Sequence, residues 1–282
     1  MISRRTVSGV LAVGLAATAG AVVPGGTASA AGAGGPGGTT RQRTTAAGAT
    51  RRPGRRVRNV VLVHGAYADG SSWSDVTERL QSAGMNVTAV QNPLTSLADD
   101  VAATERALAL QDGPTVLAAH SWGGTVISQA GLAPNVTGLV YVAARAPMAG
   151  EDYTALAGRF PTPPANAQLV ESGGFKQLSR EGFLDDFANG VPRRRALALY
   201  AAQGRIADSL FPGSTTTAAA WQHLPTWYAV SKNDRTTAPE LERFLAARMG
   251  ATTIELAAGH LSIVTHPDDI ARLILQAADH PA

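Results

Sequence analysis

Short, continuous apolar runs alternate with amphipathic segments along the chain from residue 59 to the C-terminus. Asn59–Val63 and Val136–Val142 are apolar at nearly every position, which is typical of strands buried on both faces of a sheet. Ser96, followed by Asp99 and Asp100, forms a favourable helix start. The predicted strands are residues 59–63, 86–90, 115–119, 136–142, 226–231 and 252–256; the predicted helices are residues 71–83 (capped by Ser71 or Ser72), 96–110, 124–130, 240–249 and 268–278. This order predicts an α/β fold with a mostly parallel central sheet and helices on both faces.

One long segment interrupts the alternation. From about residue 144 to residue 221 no stretch alternates like a strand, and the segment is broken at Pro161-Thr162-Pro163-Pro164 and at Gly173-Gly174. Its aromatic residues lie on short helical stretches such as residues 193–203. Because the segment falls between two strands whose ends should meet at one site, we predict a helical cap over that site. A peripheral helical decoration is the alternative.

The first thirty residues have the pattern of a signal peptide. Arg4 and Arg5 precede an apolar stretch over residues 7–23, and Ala28-Ser29-Ala30 follows as a cleavage site. The paired arginines favour export by the twin-arginine route. A membrane anchor is the alternative, but about 17 apolar residues followed by small ones is short for a span. We therefore predict an exported protein.

Residues 31–57 are rich in Gly, Ala, Thr, Pro and Arg and predict a disordered linker ahead of one domain, residues 58–282. The chain has 24 basic and 21 acidic residues. Nine of the basic residues lie within residues 1–58, which leaves 15 basic against 21 acidic residues and a charge near −6 for residues 59–282. The basic pI therefore does not indicate nucleic-acid binding. The absence of cysteine excludes disulfides, thiol catalysis and thiolate metal sites, and no domain run is long enough to span a bilayer.

The run that ends at Ser121 predicts a nucleophile. An apolar strand is followed by Ser121 between small residues, as required where a strand turns abruptly into a helix and presents a serine hydroxyl. Ala119 and Gly123 are small enough to lie against this turn. Gly124 lets the following helix approach the sheet closely.

The partners of such a serine follow it in the order acid, then histidine. Asp234 comes just after a predicted strand, and His260 follows another strand, with Gly259 at the bend. Both positions are at carboxyl ends of strands, where open α/β sheets bind ligands. A solvated turn is the alternative for Asp234, and His266 is a rival for His260, although His266-Pro267-Asp268 has the pattern of a helix start.

Backbone amides should supply an oxyanion hole. One predicted donor is the amide of Trp122, at the positive end of the helix that follows Ser121. The other is the amide of Ala66, because Gly65 lets that loop approach the substrate carbonyl. For His64 we predict hydrogen bonds that fix the loop, and for His120 a structural role.

Taken together, these motifs resemble the α/β-hydrolase superfamily over essentially all of residues 58–282. The set consists of His64-Gly65-Ala66 with Gly70 and Trp73, His120-Ser121-x-Gly123-Gly124, Asp234, and Gly259-His260 ahead of His266-Pro267. It is similar to the small-esterase branch that includes plant methyl-salicylate-type esterases, hydroxynitrile lyases and many bacterial hydrolases. The resemblance implies a Ser121–His260–Asp234 triad with Ala66 and Trp122 as oxyanion donors. One departure is Ala119, where many members have Gly.

The resemblance implies ester hydrolysis without a metal or organic cofactor. Hydroxynitrile lyases carry a lysine where this chain has Leu261, and epoxide hydrolases use an aspartate where it has Ser121. Serine-triad chemistry on an amide, a lactone, a carbon–carbon bond or a peracid stays open, as does an inactive binding protein. The apolar content of residues 144–221 predicts a small apolar or aryl ester as substrate.

Overall fold

The computed structural model describes residues 57–212 and 214–280. The strands are β1 (Asn59–Val63), β2 (Asn86–Ala89), β3 (Thr115–His120), β4 (Val136–Val142), β5 (Leu169–Ser172), β6 (Phe175–Leu178), β7 (Ile206–Ala207), β8 (Thr226–Ser231) and β9 (Thr252–Leu256). The helices are α1 (Ser74–Ser82), α2 (Leu97–Ala109), α3 (Gly123–Ala130), α4 (Tyr153–Ala157), α5 (Arg180–Gly182), α6 (Arg193–Ala201), α7 (Pro239–Met249), α8 (Ser262–Thr265) and α9 (Pro267–Asp279).

The central sheet has six parallel strands in the order β2-β1-β3-β4-β8-β9. Alternate residues of β3 enter two different apolar clusters, Leu117 one and Val116 the other. Helices α2, α3 and α7 cover the first face, and α1, α8 and α9 cover the second. Both faces are therefore buried, which explains why the strands are continuous apolar runs. The predicted α/β fold is confirmed.

Local signals set the helix starts. Ser96 accepts a hydrogen bond from the Asp99 amide at 3.1 Å, as predicted for α2. The segment before α1 differs from the prediction: Asp69, not Ser71 or Ser72, is the capping side chain, and it accepts from the Ser71 amide at 2.8 Å. A 3-10 turn over Gly70–Trp73 then leads into the helix.

The segment between β4 and β8 is not purely helical, so that part of the prediction was wrong. Besides α4, α5 and α6 it contains a three-stranded antiparallel sheet in the order β5-β6-β7. Gly173 and Gly174, which we interpreted as a break, connect β5 to β6 with φ of 61° and 80°. Two consecutive residues of positive φ form the tight turn that suits a hairpin, and glycine adopts it without strain.

The predicted signal peptide (residues 1–30) lies outside the described residues, and so does the predicted linker apart from Val57. Within the part of the chain that is described, no helix is both long and apolar enough to cross a membrane.

Candidate active site

Ser121 occupies the sharp turn between β3 and α3, at φ 53°. A β-carbon added at Gly123 would lie 2.7 Å from the Val63 carbonyl oxygen, and one at Gly124 would lie 2.0 Å from the Arg145 carbonyl oxygen. Neither backbone oxygen can give way, so the turn accepts only glycine at both positions. This crowding holds a serine in a conformation that costs a non-glycine residue about 1–2 kcal/mol.

Two hydrogen bonds join Ser121, His260 and Asp234. His260 Nδ1 lies 2.6 Å from Asp234 Oδ2, and because a carboxylate can only accept, the proton belongs to Nδ1. His260 Nε2 then accepts from the Ser121 hydroxyl at 2.9 Å. The side chains of His260 and Asp234 have no exposed surface. This is the arrangement in which an imidazole can take a proton from a hydroxyl.

The backbone after β8 holds the carboxylate of Asp234. Its Oδ1 accepts from the amides of Thr236 at 2.6 Å and Thr237 at 2.8 Å. Nearby, buried Glu242 accepts from the Ser231 amide at 2.9 Å. Burial, and then the charge of Asp234, raise the pKa of Glu242 well above its usual value. Both causes favour the neutral form of Glu242, and Asp234 is the carboxyl group that lies against His260.

His120 packs against His260 and is hydrogen-bonded to its backbone. Its Nε2–H donates to the His260 carbonyl oxygen at 3.0 Å, and the two rings lie 4.6 Å apart. Burial lowers the pKa of His120 well below its usual value, so the ring is neutral and does not repel a protonated His260. The rival His266 lies elsewhere, at the start of α9, where its Nδ1 pairs with the Thr265 hydroxyl at 2.9 Å.

The loop after β1 lies directly against Ser121. His64 Nε2 accepts from the Asn92 amide at 2.9 Å, so Nδ1 carries the proton and donates to the Gly65 carbonyl at 2.8 Å. His64 thus fixes the loop, as its position suggested. A β-carbon at Gly65 would lie 2.7 Å from the Ser121 β-carbon. Glycine at this position is what lets the loop lie against Ser121.

Ala66 and Trp122 both line the cleft that opens at Ser121. Within residues 57–212 and 214–280, neither of their amides donates to a protein acceptor. Buried amides nearly always have a partner, so these two are available to a ligand atom beside the serine. Their role as oxyanion donors stays a prediction.

The sequence profile of the alpha/beta hydrolase family matches residues 60–273. The chain belongs to the alpha/beta hydrolase family. The predicted family is confirmed. A comparison with curated proteins gives no match.

Several solved structures share the fold of this hydrolase. The pyrethroid hydrolase from Sphingobium faniae JZ-2 is 22% identical, with a TM-score of 0.66 over 80% of this chain and 98% of that one. Polyneuridine aldehyde esterase is 16% identical, with a TM-score of 0.69 over 79% and 100% of the two chains. The methylesterase MES16 from Arabidopsis is 16% identical, with a TM-score of 0.65 over 78% and 98%.

The cleft of this hydrolase has a volume of about 430 Å³. The loops after β1, β3 and β4 form its floor around Ser121, and the segment between β4 and β8 forms most of its walls. The apolar and aromatic wall residues are Tyr153, Ala157, Leu169, Leu178, Ile206 and Phe211. The walls suit a ligand with apolar groups.

Sequence reasoning missed the role of Asp100. Its Oδ2 accepts from the Trp122 indole at 2.7 Å and its Oδ1 from the Leu94 amide at 2.8 Å. Burial raises the pKa of Asp100 to about 6, and the bond from Trp122 partly opposes that shift. The sequence pattern indicates only that Asp100 lies in the first turn of α2, where a carboxylate favours the helix start. The missed signal is its position on the buried face of the helix, four residues before buried Thr104 and eight before Leu108.

Glycine is needed at position 259 for a reason other than the predicted bend. A β-carbon there would lie 2.3 Å from the Asn189 carbonyl oxygen and 2.1 Å from its side-chain oxygen. Glycine is needed because the inserted segment passes directly over the loop that carries His260. A single sequence gives no signal of such a contact between distant segments.

Proposed function

We propose that this hydrolase is an exported enzyme that cleaves carboxylic esters of small molecules through an acyl-enzyme. The observation that supports the proposal is the hydrogen-bonded series Ser121–His260–Asp234 at the floor of a cleft. Each side chain has the hydrogen-bond partner that its proposed role requires.

In the proposed reaction, Ser121 Oγ attacks the ester carbonyl carbon while His260 Nε2 takes the hydroxyl proton. Asp234 holds the imidazole in the Nδ1–H tautomer and stabilises the imidazolium. The amides of Ala66 and Trp122 bind the oxyanion of the tetrahedral intermediate. His260 gives its proton to the leaving alcohol as the C–O bond breaks. Water, deprotonated by His260, then attacks the acyl-enzyme and releases the acid and the serine.

The substrate that we propose is a small ester with apolar or aryl groups, because apolar side chains form much of the cleft wall. A serine-triad reaction on another bond would use the same residues. A substrate panel that includes an amide, a lactone and a peracid-forming assay separates that alternative from the esterase.

Export is supported by the sequence of residues 1–30, with Arg4-Arg5 before an apolar stretch and a small-residue cleavage site. Replacing both arginines with lysine should block secretion by the twin-arginine route and leave the protein in the cell. Secretion that is unchanged in this variant would contradict that route.

The test of the esterase is turnover of p-nitrophenyl esters by the Ser121→Ala variant. Without the nucleophile, kcat should fall by a factor on the order of 10⁴–10⁶. The matched control is Ser82→Ala, since Ser82 only donates to the Glu78 carbonyl on the exposed side of α1, and it should keep wild-type turnover. A folded Ser121→Ala protein with undiminished ester turnover would overturn the proposal.

A further inference from the structure

Arg145 lies three residues after the end of β4, and its backbone is hydrogen-bonded to Ser121. Its amide donates to the Ser121 carbonyl oxygen at 3.0 Å. Its side chain lines the same cleft as Ser121 and Trp122. A permanently charged group is therefore built into the floor of the site.

Aromatic rings surround the guanidinium of Arg145. Its central carbon lies 4.0 Å from the ring centre of Phe211, 4.9 Å from that of Tyr153 and 5.5 Å from that of Trp122. Cation–π contacts of this kind stabilise the charge and fix the side chain, but they leave the N–H groups without acceptors. The cage therefore orients the cation without neutralising it.

No carboxylate is paired with Arg145 among the described residues, and its guanidinium donates no hydrogen bond there. Burial lowers its pKa, and the groups that oppose this shift are Tyr153 and Tyr67. Arg248 is the instructive contrast. It also lies against two aromatic rings, but it forms an ion pair with Glu151 at 2.7 Å.

The other charged residues that line the cleft are Lys176 and Asp208. Lys176 forms an ion pair with exposed Glu171 at 3.0 Å, and Asp208 acts on the pKa of Lys176 in the same direction. Arg145 is thus the cation of the described cleft that lacks an anion. Arg145 is partly buried and faces the open cleft, so a partner for its charge can come from a ligand bound there.

We propose that Arg145 binds a carboxylate of the substrate, so that the preferred ester carries a free carboxylate within reach of the reacting carbonyl. The proposal rests on the proposed esterase function and names its substrate class. A guanidinium is suited to this because its planar N–H groups bind both oxygens of a carboxylate. The apolar walls would hold the chain that joins carboxylate and ester.

Two other roles for Arg145 make different predictions. If its charge stabilised the oxyanion, its loss would slow neutral and anionic esters alike. If Arg145 only held Tyr153 and Phe211 in place by packing, its loss would lower the stability of the fold without changing the preference between anionic and neutral esters. The preference for a carboxylate over an isosteric neutral group is therefore the decisive quantity.

The experiment compares kcat/KM within two isosteric pairs. Monomethyl adipate against methyl 6-methylheptanoate places the carboxylate in the acyl part, and 5-acetoxypentanoate against 5-methylhexyl acetate places it in the alcohol part. The wild-type enzyme should prefer the anionic member of at least one pair. In Arg145→Met that preference should fall by a factor of roughly 10 to 100, the loss expected for hydrogen bonds to a charged group. Arg145→Lys, which keeps the charge but not the planar fork, should lie between.

Arg248→Met is the matched control, because it removes an aromatic-flanked arginine that already has a carboxylate partner, and it should leave the preference unchanged. No preference in the wild-type enzyme, or an equal fall for both members in Arg145→Met, would overturn the proposal.

A second experiment measures the binding of adipate to the Ser121→Ala variant by calorimetry, and it tests the role of Arg145 without turnover. If adipate binds more weakly to the double variant Ser121→Ala, Arg145→Met than to Ser121→Ala alone, the role of Arg145 is supported even if the protein does not hydrolyse esters. Equal binding overturns it.

Discussion

The central sheet and the segment between β4 and β8 both contribute to the cleft, but they are built in different ways. The sheet contributes through the edge at which its strands have their carboxyl ends, and the segment between β4 and β8 is an insertion. Ser121, Asp234 and His260 follow β3, β8 and β9, strands of five or six residues in one parallel sheet. The inserted segment has strands of two to four residues, and β5 is exposed along its whole length. In the proposed function, the edge supplies the reacting groups on a rigid support, and the insertion supplies the walls that contact the ligand.

This difference implies that a substitution at the edge should change the rate with little change in stability. A substitution in the insertion should change stability or substrate preference and spare the chemical step. The predictions below test that division, beginning with the largest effect.

At the edge, Asp234→Asn should lower kcat by about 10⁴-fold. The asparagine oxygen can keep the two bonds from the Thr236 and Thr237 amides, so its NH2 group must face His260 Nδ1. The imidazole then takes the opposite tautomer and cannot accept the Ser121 proton. Steady-state kinetics on a p-nitrophenyl ester measures the loss.

The control for Asp234→Asn is the same substitution at Asp268, an exposed residue at the start of α9 that is paired with Arg79. It should leave kcat unchanged. Equal kcat values for the wild-type enzyme and Asp234→Asn would show that the carboxylate does not orient His260. That result would contradict the proposed division between the sheet edge and the insertion.

Beneath the site, Asp100 should make stability depend on pH. Its folded pKa of about 6 lies above that of an unfolded aspartate, about 3.9, so the folded state holds this proton more tightly. Its contribution to stability is complete below pH 4, declines as the pH rises to 6 and then stays level. The decline amounts to roughly 2–3 kcal/mol. The Asp100→Asn variant should not show this decline. The measurement is the free energy of unfolding in urea at pH 4 and pH 7.

Asp99, the neighbour of Asp100, provides a control of opposite sign. Its exposed carboxylate accepts from the hydroxyls of Ser96 and Thr95, and these bonds lower its pKa. Asp99 therefore contributes stability that is lost as the pH falls through its folded pKa. If Asp99→Asn and Asp100→Asn shifted the pH dependence in the same direction, the assigned environment of Asp100 would be wrong.

In the insertion, Gly173→Ala should destabilise the β5–β6 hairpin by about 1–2 kcal/mol, because φ at this position is 61°. Gly173→Asn should cost less, since asparagine tolerates that conformation in a tight turn. Thermal unfolding measures both variants, and kcat on a p-nitrophenyl ester should stay near the wild-type value in each. A large fall in kcat would show that the hairpin takes part in the chemical step.

The same division explains how far the sequence reveals the structure. The central strands, the turn at Ser121 and the positions of Asp234 and His260 were all predicted, because their signals lie within a few neighbouring residues. The hairpin at Gly173-Gly174 was missed because its flanking strands are exposed and do not alternate between apolar and polar residues.

The roles of three ionisable residues were missed for another reason. Asp100, Glu242 and Arg145 are ordinary polar residues in the sequence, and their roles come from contacts between distant parts of the chain. Asp100, for example, meets Trp122 from 22 positions away. Burial and pairing of this kind depend on the completed fold.

The most direct test of an activated serine is labelling of the purified protein with a fluorophosphonate probe, followed by peptide mass spectrometry. The proposed triad predicts covalent labelling at Ser121 in the wild-type protein and its loss in His260→Ala. A folded wild-type protein that is not labelled at Ser121, or labelling that persists in His260→Ala, would contradict the proposed mechanism.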